Sequence, residues 1–345
     1  MPTTRPRIAV LLGDPSGVGP EMAVKLLARP ANRDAAELLL IADPLVLASG
    51  EQSAGQRLDV LTFGTLDDVR FERGRVCLLA RDWMQGHAPV LGESNDRSGR
   101  ASMQALALAT EAVQHGVADA ILFAPLNKHS LRLGGLTHED ELRYLQARFA
   151  VPGFVCEFNI TRDLWTSRVT SHVPLKHVAA LITREGVCDA VNILDKALRH
   201  AGIERPRIAV SGLNPHAGDA GSIGMEEIEI IGPAVRQLQA QGIAAQGPFS
   251  PDTVFIAARR GDFDAVVSMY HDQGQIAMKL MGFEQGVTLH GGLPVPVATS
   301  ASGSAFDIAG RGIATVEGLQ HAFDLCVRMA RQQPVQASGP AQVAA

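Results

Sequence analysis

The chain has 345 residues, and its 31 Lys and Arg against 36 Asp and Glu give a net charge of −5. That balance builds no basic face for a nucleic acid, while an apolar content of 46% is enough for a large buried core. The longest apolar stretch, residues 38–47, is broken by Asp43 and Pro44, so no segment reaches the roughly 20 residues of a membrane helix.

The length favours two domains over one. Residues 7–12 (RIAVLL) read as a buried parallel strand. It enters the glycine turn 13–19 (GDPSGVG) and then a helix over 20–28, with Pro20 at its first position and Glu21 complementing its N-terminus. Residues 38–42 predict a second strand, 102–115 a helix, and 118–124 a strand leading through 125–129 into a polar helix. Further on, 176–183 and 187–200 predict helices, 206–211 a strand, 233–241 a helix and 264–270 a strand. This alternation predicts an α/β fold with open, mostly parallel sheets, in which ligands bind beyond the carboxyl ends of the strands. The apolar run near the N-terminus is too short for a signal peptide, and Cys77, Cys156, Cys188 and Cys326 form no CxxC pair. Together these predict reduced thiols and a cytoplasmic location. The Pro-, Gln- and Ala-rich residues 332–345 read as a frayed tail.

Three histidines follow short apolar runs: His172 in TSHVPL, His216 in GLNPHAG and His271 in YHDQG. Neutral imidazoles suit zinc and similar divalent ions, and three ligands leave coordination positions open for a substrate. Asp272 and Gln273 are candidates for orienting the imidazoles. The 13–19 turn departs from the P-loop and from GxGxxG, so it reads equally as a phosphate cradle and as a plain turn. The loop 212–224, rich in glycine, reads either as a path for close cofactor approach or as a flexible surface loop. Lys128 and Lys279 are candidate oxygen-polarising or anion-holding groups. Asp252 reads as a helix cap or a site residue, and Asp307 as a ligand for a small molecule or a backbone amide.

Seven segments in order then carry a resemblance: 13–21, 125–128, 171–175, 212–218, 251–253, 270–274 with Lys279, and 306–310. With these the chain resembles the 4-hydroxythreonine-4-phosphate dehydrogenase family over about residues 7–318. The resemblance implies two α/β domains of the isocitrate/isopropylmalate dehydrogenase type: residues 1–126 with 290–330, then 127–289 with the metal site and dimer contacts, and a tail at 331–345. It implies a homodimer whose active site lies in the interdomain cleft, with His271 and Asp252 coming from the partner chain. Metal ligands would be His172, His216 and His271, holding zinc, or else Mg, Co or Mn. Lys279 and Asp252 would be catalytic. His138, Glu139, Lys279 and Thr288 would bind substrate, and Gly218, Gly221 and Asp307 the NAD or NADP.

The chain also departs from the family pattern. Gly-His-Thr-Glu becomes THED at 137–140, Thr288 stands for an asparagine, and 295–300 (VPVATS) lacks an arginine. An absent arginine and added carboxylates work against a dianionic phosphate. The expected activity is metal-dependent NAD(P) oxidation of a vicinal hydroxy acid, with or without a following decarboxylation. A cis-dihydrodiol dehydrogenase of the terephthalate type is the alternative. A metal-dependent hydrolase and a catalytically silent binding protein are the alternatives of another class.

Overall fold

The computed structural model describes residues 5–161, 164–282 and 285–332; the tail at 333–345 lies outside them. The chain divides into two compact units, Met1–Val151 with Leu293–Ala345, and Pro152–Gly292. The first crossing therefore falls at 151/152 rather than near 127. The helices Lys128–Leu133 and Glu141–Arg148 both pack on the long helix Asp96–Gln114 of the first unit. Gly99 makes that approach possible, because a Cβ there would lie 1.8 Å from the Ser130 carbonyl oxygen.

In the first unit, β1 (Arg7–Leu11), β2 (Glu37–Ala42), β3 (Val60–Phe63), β4 (Val76–Ala80), β5 (Ala120–Phe123) and β12 (Val297–Ser300) run in the order β3-β4-β2-β1-β5-β12. Every pairing among them is parallel. The central strands are buried on both faces, which is why Ile8–Leu11 and Leu38–Ile41 are continuous apolar runs. The helix expected from residue 102 starts at Asp96, because the Asn95 side chain accepts from the Ser98 amide at 2.8 Å. Glu21 does more than face a helix N-terminus. It is buried, pairs with Lys25 at 2.7 Å and accepts from the Ala314 amide at 2.8 Å.

The second unit contains β6 (Cys156–Thr161), β7 (Leu164–Arg168), β8 (Ile208–Ser211), β9 (Ala245–Phe249), β10 (Ala265–Ser268) and β11 (Val287–Gly291) in the order β11-β6-β7-β10-β8-β9. Strands β7, β10, β8 and β9 are mutually parallel, and β6 runs antiparallel to both β11 and β7. The helix Arg184–His200 buries Val187, Val191, Leu194 and Leu198 along one stripe. Thr183 caps it by accepting from the Gly186 amide at 3.0 Å, which moves its start ahead of the expected residue 187. All four cysteines are buried free thiols. Burial pushes the Cys77 thiol up to about 11 and the Cys326 thiol up to about 12, far from thiolate reactivity at neutral pH.

Candidate active site

Three neighbouring parallel strands of the second unit, β7, β10 and β8, end at the same level. Arg168 pairs with Ser268, and Val267 with Val210. His172, His271 and His216 each follow one of these carboxyl ends, where open parallel sheets bind ligands. The exits of β7 and β10 are stapled together. The Val169 amide donates to the Ser268 carbonyl at 3.0 Å, while the Thr170 amide and hydroxyl donate to the Met269 carbonyl at 3.1 and 2.8 Å. This brings the His172 and His271 rings to a centroid separation of 5.6 Å within one chain. His271 opens the helix His271–Leu280, with its Nδ1 2.7 Å from an Asp272 carboxylate oxygen. Asp272 thus holds the ring through Nδ1, which leaves Nε2 as the nitrogen not engaged by that carboxylate. Gln273 has another task. Its Oε1 accepts from the Met269 amide at 2.6 Å and its Nε2 donates to the Gly212 carbonyl at 2.8 Å, clamping the β10 exit to the β8 exit.

His216 sits in an unusual turn. Residues His216, Ala217, Gly218, Asp219 and Ala220 all have positive φ, between 43° and 81°. For L-residues this conformation costs about 1–2 kcal/mol each, so the four non-glycine residues store roughly 4–8 kcal/mol. Glu227 is the anchor that sequence reasoning missed. It is buried, and one carboxylate oxygen accepts from the Leu213 and Asn214 amides, each at 2.7 Å. The other accepts from the Asn214 side-chain amide at 3.0 Å. Gly218 lies directly against that second oxygen, and a Cβ there would stand 2.7 Å from it. Gly221 also has positive φ, at 97°, so both glycines answer a backbone requirement of the turn itself. Among the described residues, neither His216 nor His271 belongs to a group of three donors lying within 4.8 Å of one another.

The remaining expected residues stand on several other elements. Lys279 is exposed in the last turn of the His271–Leu280 helix. Asp252 is exposed beyond β9 and accepts from the Ser250 hydroxyl at 2.6 Å. Thr288 lies on β11, where its hydroxyl accepts from the Asn159 side chain at 3.3 Å. In the first unit, the His138 ring stands edge-on to Tyr144 at 5.7 Å, Glu139 is exposed, and Asp307 is exposed in the short turn Phe306–Ile308. Lys128 is exposed at the start of the Lys128–Leu133 helix. Asp140, which stands where the family pattern has a glutamate, is buried and caps the Glu141–Arg148 helix by accepting from the Arg143 amide at 2.9 Å.

The 13–19 turn has a packing explanation. A Cβ on Gly13 would lie 2.5 Å from the Ala124 and Pro125 carbonyl oxygens, and one on Gly19 would lie 2.3 Å from that of Leu12. Around it stands a polar cluster that sequence reasoning also missed. Asp14 accepts from the Ser16 amide at 2.8 Å, the Ser16 and Ser98 hydroxyls bond at 2.8 Å, and Asn95 donates to Ser16 at 3.0 Å. Burial pushes the Asp14 carboxyl above its ordinary range, against the lowering pull of the Ser130 hydroxyl and the Ser16 amide.

The family model described as "Pyridoxal phosphate biosynthetic protein PdxA" matches residues 34–326. The chain is 48% identical over 333 residues to "Putative 4-hydroxythreonine-4-phosphate dehydrogenase 2" of Pseudomonas aeruginosa, an alignment covering 95% of this chain and 98% of that protein. It is similar to the solved 4-hydroxythreonine-4-phosphate dehydrogenase of Klebsiella pneumoniae, with TM-score 0.82 and 32% identity over 96% of this chain and 100% of that one. A terephthalate 1,2-cis-dihydrodiol dehydrogenase of Burkholderia xenovorans stands further off, with TM-score 0.67 and 26% identity over 94% and 98% of the two chains. Strand ends, histidine segments and near-complete alignments agree, and the chain belongs to the PdxA family of pyridoxal phosphate biosynthetic proteins.

Proposed function

We propose that this protein is a metal-dependent NAD(P) dehydrogenase that oxidises the CH–OH of a vicinal hydroxy acid in the manner of 4-hydroxythreonine-4-phosphate dehydrogenase. The carrying observation is the placement of His172, His271 and His216 at the ends of three adjacent parallel strands, with two of the rings 5.6 Å apart. The name of the Pseudomonas aeruginosa relative supports the substrate class, and the lower identity to the dihydrodiol enzyme weighs against an aromatic diol.

The donor set fits a divalent ion: imidazoles are borderline ligands, and Asp272 fixes the tautomer of one of them. We assign His172, His216 and His271 as its holders and zinc as the ion. Bound there, it would supply Lewis-acid polarisation of a substrate oxygen, and the nicotinamide would supply hydride acceptance. The chain's own groups do the rest. Lys279 and Asp252 orient the hydroxy acid and carry its proton. His138, Glu139 and Thr288 hold its polar groups, and Gly218, Gly221 and Asp307 receive the cofactor.

A homodimer that shares its active site accompanies this reading. Ile276 and Leu280, one turn apart on the His271–Leu280 helix, are 62% and 83% exposed, an apolar face suited to a second copy. Among the described residues no helix is long and apolar enough to cross a membrane. With its four buried thiols, the chain suits the cytoplasm.

The test replaces His216 with Ala. Metal content and reduced-nicotinamide absorbance with 4-hydroxythreonine-4-phosphate should both collapse. Full activity at normal metal content would remove the assignment, and turnover without nicotinamide reduction would favour a hydrolase.

A further inference from the structure

Arg168 is the one basic residue of the lysine and arginine kind among the buried side chains described, with 5% of its side chain exposed. A guanidinium is retained in such a place only when its charge and donors are matched. Here they are matched by three partners on one side of the sheet. Nη2 donates to the Glu157 carboxylate at 2.9 Å, Nη1 to the Asn159 side-chain oxygen at 3.0 Å, and Nε to the Ser171 hydroxyl at 2.8 Å. Ser171 immediately precedes His172. The same Asn159 oxygen also accepts from the Gln275 side-chain amide. Gln275 lies one turn after His271 on the same helix, and so on the same face.

These bonds run from Ser171 through Arg168 and Asn159 to Gln275, joining the residue before His172 to the residue one turn after His271. The backbone staples of Thr170 and Val169 fix where the two chain segments cross, but they leave the direction of the Ser171–His172 segment open. The planar guanidinium fork supplies that direction, which a lysine's single point of charge cannot reproduce.

We propose that Arg168 is a positioning residue that sets the direction of the Ser171–His172 segment and thereby the affinity of the metal site to which His172 contributes. The inference rests on the proposed metal role of these histidines. It places the residue outside the set that touches substrate, since its donors are turned to Glu157, Asn159 and Ser171.

The experiment titrates Co(II) calorimetrically into the full-length apo-protein and records the Co(II) visible spectrum and the melting temperature alongside. Arg168→Met should weaken Co(II) binding about 10–100-fold, the usual effect of removing a partner behind a metal ligand, and shift the visible band. Arg168→Lys should recover part of the affinity, because the charge opposite Glu157 returns without the fork. Ser171→Ala keeps the buried ion pair and strands only the Arg168 Nε donor, so it should melt only a few degrees lower yet still lose several-fold in affinity. It decides the matter if Arg168→Met does not fold. Folded Arg168→Met or Ser171→Ala protein with wild-type affinity and spectrum would overturn the inference. His172→Ala binding Co(II) like the wild type would instead overturn the metal assignment beneath it.

Discussion

Replacing Glu227 with Ala tests whether a buried carboxylate holds the histidine loop in its strained turn. The Leu213 and Asn214 amides lose their acceptor, and Asn214 Nδ2 loses one of two, the other being Glu226 at 2.8 Å. Each stranded, partly buried donor costs about 1–3 kcal/mol, so two backbone amides amount to about 3 kcal/mol near the lower half of that range. The left-handed residues 216–220 then have no anchor, and relaxing toward right-handed backbone recovers part of their roughly 4–8 kcal/mol of strain. That recovery makes about 3 kcal/mol an upper figure. At ~2–4 °C per kcal/mol for a domain of this size, the melting temperature should fall by no more than roughly 6–12 °C. The loss of the turn should also displace His216, so Co(II) affinity falls with it. Glu227→Gln should be milder, near 1 kcal/mol, since its carbonyl oxygen can still accept from both amides while its NH₂ faces the Asn214 donor. Scanning calorimetry and Co(II) titration read both effects. A Glu227→Ala protein within about 2 °C of wild type, with unchanged affinity, would refute the anchoring argument.

Asp14→Asn should match or exceed wild-type stability at pH 7. The raised folded pKa means that the fold favours the protonated acid, and the advantage is lost as pH rises through that folded value. The gap in urea midpoint should narrow as pH falls toward the ordinary carboxylate range, and an Asp14→Asn protein weaker than wild type at pH 7 would contradict this. Asp264 runs the other way. Burial pushes its carboxyl up, but hydrogen bonds from the Arg207 side chain and amide and that residue's charge prevail and hold it low. Its contribution is present above the unfolded carboxylate pKa and fades as pH falls through the folded value, so Arg207→Met should flatten the acid side of the stability profile. Asp272→Asn leaves the His271 ring without its carboxylate and should weaken Co(II) binding about tenfold with little change in melting temperature. Equal affinity in the two proteins would remove Asp272 as an orienting group.

The strands that sequence reasoning finds, β1, β2, β5, β8 and β10, are buried on both faces by apolar side chains, although β4, buried in the same way, goes unread. Strands β6 and β7 escape it because Glu157, Asn159, Thr166, Ser167 and Arg168 interrupt the apolar pattern that marks a buried strand. Their polarity reflects an internal hydrogen-bonded layer, visible only once the pairing of Asn159 with Thr166 and of Thr288 with Asn159 is known. The histidines are legible because each follows a chain segment of known type. Glu227 is not, since nothing in EEIEII distinguishes the glutamate that turns inward from those that face solvent. The left-handed run at 216–220 is likewise hidden, because two of its five residues, Ala217 and Ala220, carry no sequence signal for positive φ.

The departures from the family pattern must be weighed by what each side chain does. A carboxylate repels a phosphate only if it is free to face it. Asp140 is not: it is buried and spends its charge on the Arg143 amide and the positive end of a helix. Asp140 also stands where the family pattern has a glutamate, so the carboxylate that the change at 137–140 adds is Glu139, which is exposed. The absent arginine at 295–300 is a different matter, for a lost guanidinium removes bidentate recognition outright. Arg168 does not replace it, because Glu157 already neutralises that charge inside the second unit. On the proposed reading Glu139 and the missing arginine would set substrate selection, and Glu139→Gln tests the part that concerns the phosphate. It should lower the KM for a phosphorylated four-carbon hydroxy acid while leaving that for its unphosphorylated counterpart unchanged. Equal shifts for the two acids would mean that Glu139 does not read the phosphate.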